Sequence, residues 1–208
     1  MLASEIWHSF YLNILATTWQ EWVSFVFQIA SVWFARKNNV LVYPTGIIGV
    51  VLAAYVYYFV STPPLYADTI LNIYYFAMSI YGWYFWTRKK SNEISYPISW
   101  CNSTEIKIGL GLFLFFSVII YLMLIKLTDS NTPILDTLVS STAITAMWWM
   151  AKRKMENWIA WIVSNLIAIP LNFYKGFMLF TLMYVLFLWL AVLGYKAWKI
   201  ELESKRSV

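Results

Sequence analysis

Seven apolar stretches, each long enough to cross a bilayer and divided by polar links, dominate this sequence. A membrane-spanning helix needs roughly 17–25 mostly apolar residues, and the candidates are 19–35, 41–60, 67–86, 108–125, 134–150, 158–174 and 178–195. Composition agrees, with 61% hydrophobic and only 12% charged residues, where soluble chains carry about 25% charge. A soluble core of this size could not hide so much apolar surface, so lipid is the expected solvent. Residues 1–18 lack both a basic start and a long apolar run, so no cleavable signal is read there; 6–15 reads as a short interfacial helix. The long link, 87–107, holds Arg88, Lys89, Lys90, Ser91, Asn92, Ser95 and Pro97, and is expected to be a solvated loop.

Charge tests the span count independently. With seven spans, one side carries Arg36, Lys37, Arg88, Lys89, Lys90, Lys107, Lys152, Arg153, Lys154, Lys196, Lys199, Lys205 and Arg206, and the other only Lys126 and Lys175. A missed helix would scramble that division. Basic flanks stay cytoplasmic, so the N terminus is expected outside and the C terminus in the cytoplasm, as for a bacterial inner-membrane protein. The net charge of +5 is explained by these clusters, and no nucleic-acid partner is expected.

Some chemistries are excluded. Cys101 and His8 are the only residues of their kinds, which removes internal disulfides, His-cluster metal sites and Ser-His-Asp or Cys-His catalysis. No cofactor, metal or enzyme activity is expected.

The sequence also repeats itself. Trp33-Phe34-Ala35-Arg36-Lys37 matches Trp149-Met150-Ala151-Lys152-Arg153 at an offset of 116, and Gly82 and Trp86 match Gly194 and Trp198 at 112. A three-helix unit ends on the side opposite its start, so a parallel copy needs a linking helix, which the fourth span supplies. The expected fold is an all-α polytopic membrane protein of seven transmembrane helices, two parallel three-helix repeats joined by that link. Its parts are an N-terminal segment (1–18), a first repeat (19–86), a loop and linking helix (87–127), a second repeat (128–198) and a tail (199–208). Parallel repeats place a substrate site near the midplane between halves.

Polar groups at membrane depth mark where that site would be, because they face the protein interior. Gln28 lies on one face of the first span with Ser24 and Ser31, and Asn72 and Ser79 share the third with Tyr74 and Tyr75. Trp158, Trp161 and Asn165 follow an i, i+3, i+7 spacing on the sixth, and Asp136 sits near the outer end of the fifth. Serines and threonines in such helices mostly bond their own backbone or let helices approach, whereas a buried unpaired amide costs about 1–3 kcal/mol. Glu156 and Asn157 are expected to cap the sixth span, Pro170 to kink it, and Pro44 to fit the first turn of the second. Amides, hydroxyls and rings can hydrogen-bond a neutral polar solute and stack on a cationic ring. Without a deep acid they suit no proton relay or sodium site, which favours facilitated diffusion. A membrane-embedded enzyme would need an acid or nucleophile cluster that is absent, and a structural subunit would not need converging amides.

Leu65-Tyr66-Ala67-Asp68, Asn72 and Tyr81-Gly82-Trp83-Tyr84-Phe85-Trp86 resemble the third-helix signature of the PnuC-type vitamin transporters. Leu135-Asp136, Lys152-Arg153-Lys154, Glu156-Asn157-Trp158 with Trp161, and Tyr174-Lys175-Gly176 are similar to the matching part of the second half. The resemblance runs from about Trp19 to Trp198. It implies a three-plus-one-plus-three helix plan akin to SWEET sugar transporters. It also implies facilitated uptake of nicotinamide riboside, trapped by a cytosolic kinase, with relatives that carry thiamine or riboflavin. Asn72 stands where riboside carriers tend to have Gln, which makes thiamine a close second substrate. The site residues it implies are Asn72, Trp158, Trp161 and Asn165, with Gln28, Tyr75 and Asp136 beside them. A homo-oligomer is compatible with all of this.

Overall fold

The computed structural model describes residues 2–62, 65–90, 93–94 and 97–204. Eight α-helices are formed among them: α1 (Leu2–Ala16), α2 (Trp19–Arg36), α3 (Val42–Tyr55), α4 (Tyr66–Thr87), α5 (Ser103–Leu127), α6 (Pro133–Ala151), α7 (Glu156–Tyr174) and α8 (Met178–Ser204). A π-turn at Val56–Val60 continues α3, and a two-residue hairpin pairs β1 (Lys89–Lys90) with β2 (Glu93–Ile94).

Local sequence explains where the helices begin. Thr18 and Glu21 form a reciprocal capping box at α2, the Thr18 amide donating to Glu21 Oε2 at 2.7 Å and the Glu21 amide to Thr18 Oγ1 at 3.3 Å. Asn102 and Glu105 do the same at α5. Each box satisfies amides that have no partner inside the helix. Pro133 opens α6, where a missing N–H costs nothing. Pro44 falls in the first turn of α3, and Pro170 lies inside α7.

The chain is polar inside and apolar outside. Ser24, Asn72, Ser79, Thr137, Ser141, Thr145, Ser164 and Asn165 are buried, while Ile70, Ile73, Leu114, Phe115, Val118, Leu166, Val185 and Trp189 are exposed. Such a surface is stable only in hydrocarbon, so this is a multi-pass membrane protein. By length and composition alone, three helices among the described residues qualify as spans: Val42–Val60, Ser103–Leu127 and Met178–Ser204. The others, α2, α4, α6 and α7, have 18 to 22 residues, about 27–33 Å at 1.5 Å each. Their hydropathy is lowered by the polar residues they turn inward.

Six helices close a ring. α2 packs on α3, α3 on α4, α4 on α6, α6 on α7, α7 on α8, and α8 back on α2. α5 lies outside the ring against α6, and α1 packs on α8. The order is unchanged when α2, α3 and α4 are exchanged with α6, α7 and α8.

Matched bonds fix the register of that exchange at 115, one residue less than the sequence match of 116. α2 and α6 both end in a Schellman turn. In one the Asn38 amide donates to Ala35 O at 2.9 Å and the Asn39 amide to Phe34 O at 3.0 Å; in the other Arg153 bonds Met150 O at 2.9 Å and Lys154 bonds Trp149 O at 2.9 Å. The residues that close the turns, Asn38 (φ 50°) and Arg153 (φ 53°), share the left-handed backbone. Lys37 lies 5.1 Å over the Trp33 ring and Lys152 lies 4.9 Å over Trp148. Trp33 therefore corresponds to Trp148, not to Trp149.

Two further expectations are corrected. The 87–107 link is not a free loop: α5 already starts at Ser103, and 97–102 folds onto the α6–α7 turn through Ser99, which exchanges backbone bonds with Arg153 and Met155 at 3.2 and 3.0 Å. Glu156 does not cap α7; its carboxylate accepts the Cys101 amide at 2.9 and 3.0 Å, pinning that segment. The tail is helical to Ser204. Ser91, Asn92, Ser95, Lys205 and Arg206 lie outside the described residues.

Candidate functional site

α4 and α7 flank α6 in the ring, and their side chains approach each other over it. Tyr75 and Trp161 meet there with ring centroids 6.4 Å apart at 48°. Asn165, one turn beyond Trp161 on the same face of α7, is 3% exposed. A half-buried ring pair beside a buried amide provides a stacking surface and a hydrogen-bonding group at mid-depth.

The other expected site residues are spread around this centre. Asn72 is 9% exposed at the α3–α4 seam, where its Nδ2 donates to Asp68 O at 2.9 Å and its side chain borders an apolar surface groove with Val50, Val51, Ala54, Ile73 and Phe76. Gln28 is held at the α2–α3 contact, its Nε2 donating to Ser24 Oγ at 2.8 Å while Ser24 donates to Gly49 O at 2.8 Å. Asp136 lies at the end of the bundle away from the basic clusters. Its carboxylate binds Lys175 Nζ at 2.6 and 2.8 Å and accepts the hydroxyls of Ser130 and Thr132 at 2.7 and 3.1 Å. The sequence points to Asp136 but not to these partners. It also gives no hint that Asp68 lies within electrostatic reach of Asp136 and Lys175, or that Tyr184 does of both carboxylates.

Trp158 belongs to a different group, at the basic end. It is fully buried and meets Trp198 edge-on at 5.4 Å and 88°; Tyr43, its counterpart, is fully buried and meets Trp86 at 5.1 Å and 89°. Trp86 and Trp198 then approach each other at 6.0 Å. Such pairs contribute about 0.5–1.5 kcal/mol each beyond area burial. The glycines one turn before the two tryptophans make room for it. A Cβ on Gly82 would stand 2.4 Å from the Tyr43 ring, and one on Gly194 2.4 Å from the Trp158 ring. The Tyr43 hydroxyl and Trp158 Nε1 are buried without hydrogen-bond partners among the described residues. Arg153 lies 4.2 Å over the Trp86 ring; burial lowers the pKa of its guanidinium, opposed by Tyr43 and Glu201. The only sequence trace of this group was the repeated Gly-x-x-x-Trp.

Comparison with known proteins gives this arrangement a family. The chain is 25% identical over 206 residues to the nicotinamide riboside transporter PnuC of Escherichia coli, covering 87% of this chain and 85% of that one. It is 26% identical over 211 residues to the PnuC of Neisseria mucosa, covering 93% and 79%. Over 137 residues it is 26% identical to the riboflavin/roseoflavin transporter RibM of Streptomyces davaonensis, covering 62% of each. Its fold superposes on the crystal structure of the vitamin B3 transporter PnuC with a TM-score of 0.69 and 26% identity, covering 95% and 88%. The family model for nicotinamide mononucleotide transporters matches residues 18–200, which takes in α2 to α7 and most of α8, and the chain belongs to that family of membrane transporters.

Proposed function

We propose that this chain carries nicotinamide riboside across the membrane by facilitated diffusion, at a site between Tyr75 and Trp161. The Tyr75–Trp161 ring pair, with the buried Asn165 amide one turn along α7, is the observation that carries the reading. A cationic pyridinium ring gains from aromatic faces, and an amide oriented into the site suits a carboxamide or ribose hydroxyl. The names of the curated relatives support a vitamin-type substrate. A mononucleotide fits less well. Its phosphate would call for Arg or Lys donors, whereas Lys175 is paired with Asp136 and Arg153 is engaged with Trp86. Thiamine is the second reading, favoured by the short amide of Asn72.

In this proposal α2–α4 and α6–α8 are two parallel repeats and α5 is the linking helix, seven spans in all. Residues 1–18 precede the first repeat, and 199–208 form the tail. The basic end faces the cytoplasm of a bacterial inner membrane, the N terminus lies outside, and a cytosolic kinase traps the product. Gln28 and Asn72 line the wall of the path, Trp158 its inner end, and Asp136 its outer end. The chain performs no catalysis of its own.

Titration of the purified protein with nicotinamide riboside, nicotinamide mononucleotide, thiamine and riboflavin tests this. Trp161→Ala and Asn165→Leu are expected to weaken binding about 5- to 150-fold, the equivalent of about 1–3 kcal/mol. Asn72→Gln is expected to shift preference from thiamine toward the riboside. Unchanged affinity in both α7 variants would move the site elsewhere.

A further inference from the structure

The two tryptophans of the basic end do more than pack. Trp198 Nε1, on the last helix of the second half, donates to Ala35 O of α2 at 2.9 Å. Trp86 Nε1, on the last helix of the first half, donates to Met150 O of α6 at 3.2 Å. Ala35 and Met150 are 115 positions apart, so the two bonds are one bond made twice. Each crosses from one half to the other.

The acceptors are prepared for this. Each carbonyl lies in the last turn of its helix, where no amide four residues on takes it, and each accepts the amide of the left-handed residue of its Schellman turn. Those same left-handed residues reach the opposite half as well: Arg153 covers the Trp86 ring at 4.2 Å, and Asn38 Nδ2 donates to Glu201 Oε1 at 3.0 Å, three residues beyond Trp198. On α4, Trp86 lies about three turns beyond Tyr75, toward the basic end.

We propose that Trp86 and Trp198 are paired latches of an inner gate, each closing one crossing between the halves by bonding the exposed helix-end carbonyl of the other half. Opening at the basic end must break both bonds. The closed state is not a deep trap, because it leaves the Tyr43 hydroxyl and Trp158 Nε1 buried without partners, and opening would hydrate both. Two bonds gained against two donors stranded keep open and closed within reach of each other. The symmetry gives the gate a specific property: either half can be released first.

The gate rests on the transporter reading but not on the identity of the substrate. Nitroxide labels at Lys37→Cys and Lys199→Cys, in a Cys101→Ser background, report the α2–α8 crossing; labels at Arg88→Cys and Lys152→Cys report the α4–α6 crossing. Double electron–electron resonance on protein in lipid nanodiscs then gives distance distributions for each. Phe keeps the ring and removes the N–H. Trp198→Phe is expected to lengthen the first distance population, and Trp86→Phe the second, each shifting the closed-to-open ratio about 3- to 10-fold, as for loss of one hydrogen bond. The double variant should open both. Glu201→Ala, which frees Asn38 and removes a carboxylate that acts on Arg153 while leaving every ring in place, should shift the first crossing about 2-fold. Distributions that stay closed in the double variant overturn the latch, even if its melting temperature falls, since that would be a packing role alone. If a Phe variant fails to fold, an unmoved distribution in Glu201→Ala overturns it instead. Binding titrations on the same samples keep the two questions apart. Lost vitamin binding with shifting distances sinks the substrate reading and not the latch.

Discussion

The two ends of the bundle are closed by different physics. At the basic end Tyr43, Trp86, Trp158 and Trp198 form a dry aromatic group, with its hydrogen bonds aimed at backbone carbonyls. At the other end Asp136 and Lys175 form an ion pair whose side chains are 20% and 22% exposed, ringed by hydroxyls and within reach of Asp68. Packed rings hold by shape and tolerate almost no added volume. A wet ion pair holds by charge, tolerates movement, and weakens in salt. A carrier that must open alternately at each end thus has one end set by volume and the other by ionic conditions.

That contrast can be broken by volume first. Gly194→Val or Gly82→Val would drive a side chain into Trp158 or Tyr43, and overpacking is expected to cost about 1–3 kcal/mol. Thermal unfolding in detergent, monitored by intrinsic tryptophan fluorescence, should show the largest loss of any single change considered, and the loss should be insensitive to salt.

Charge comes next. Asp136→Asn or Lys175→Met is expected to lower stability by about 1 kcal/mol, partial exposure limiting the effect. The loss should shrink in roughly 0.5 M salt, by the screening argument, and the double variant should recover part of it. Equal losses at low and high salt would mean that this end, too, is held by packing.

The smallest effect tests the cover of the basic end. Burial first, then the Glu156 carboxylate that also bonds its amide, pushes the Cys101 thiol up. The thiol is therefore protonated at neutral pH and becomes reactive only as the pH rises well above the ordinary thiol range. Glu156→Gln lowers that barrier. Maleimide labelling at pH 8 should proceed a few-fold faster than in the parent. An unchanged rate would mean that Glu156 does not set the thiol's surroundings.

Much of the architecture could be read from the sequence because lipid enforces it. The apolar runs at 41–60, 108–125 and 178–195 reappear as helices that qualify as spans on composition alone. The other runs became ring helices, whose weaker hydropathy follows from the inward Ser24, Asn72, Thr145 and Ser164. The matching letters, Trp33 and Trp149, lie 116 apart, whereas the matching bonds, at Ala35 and Met150, lie 115 apart. Loop 87–107 was misjudged because polarity does not reveal that Ser99 and Cys101 would find Arg153, Met155 and Glu156 in space. Of the site, Trp161, Tyr75 and Asn165 fell on inward faces as helical spacing implies. The same spacing could not separate Trp158 from them: it shares their face of α7 but lies two turns from Asn165, among rings contributed by α3, α4 and α8.

The position of α5 bears on how such a molecule is assembled. It is bound to the ring on one side through α6, with Ser117 donating to Ser141 at 3.0 Å, while the hairpin before it carries little of the packing between the halves. The ring is completed by the α4–α6 and α8–α2 contacts, which do not run through the link between α4 and α5. Two polypeptides, one ending before the hairpin turn and the other beginning after it, should find each other in the bilayer as subunits of a dimer do. The single chain would then be a device for fixing stoichiometry and order of synthesis.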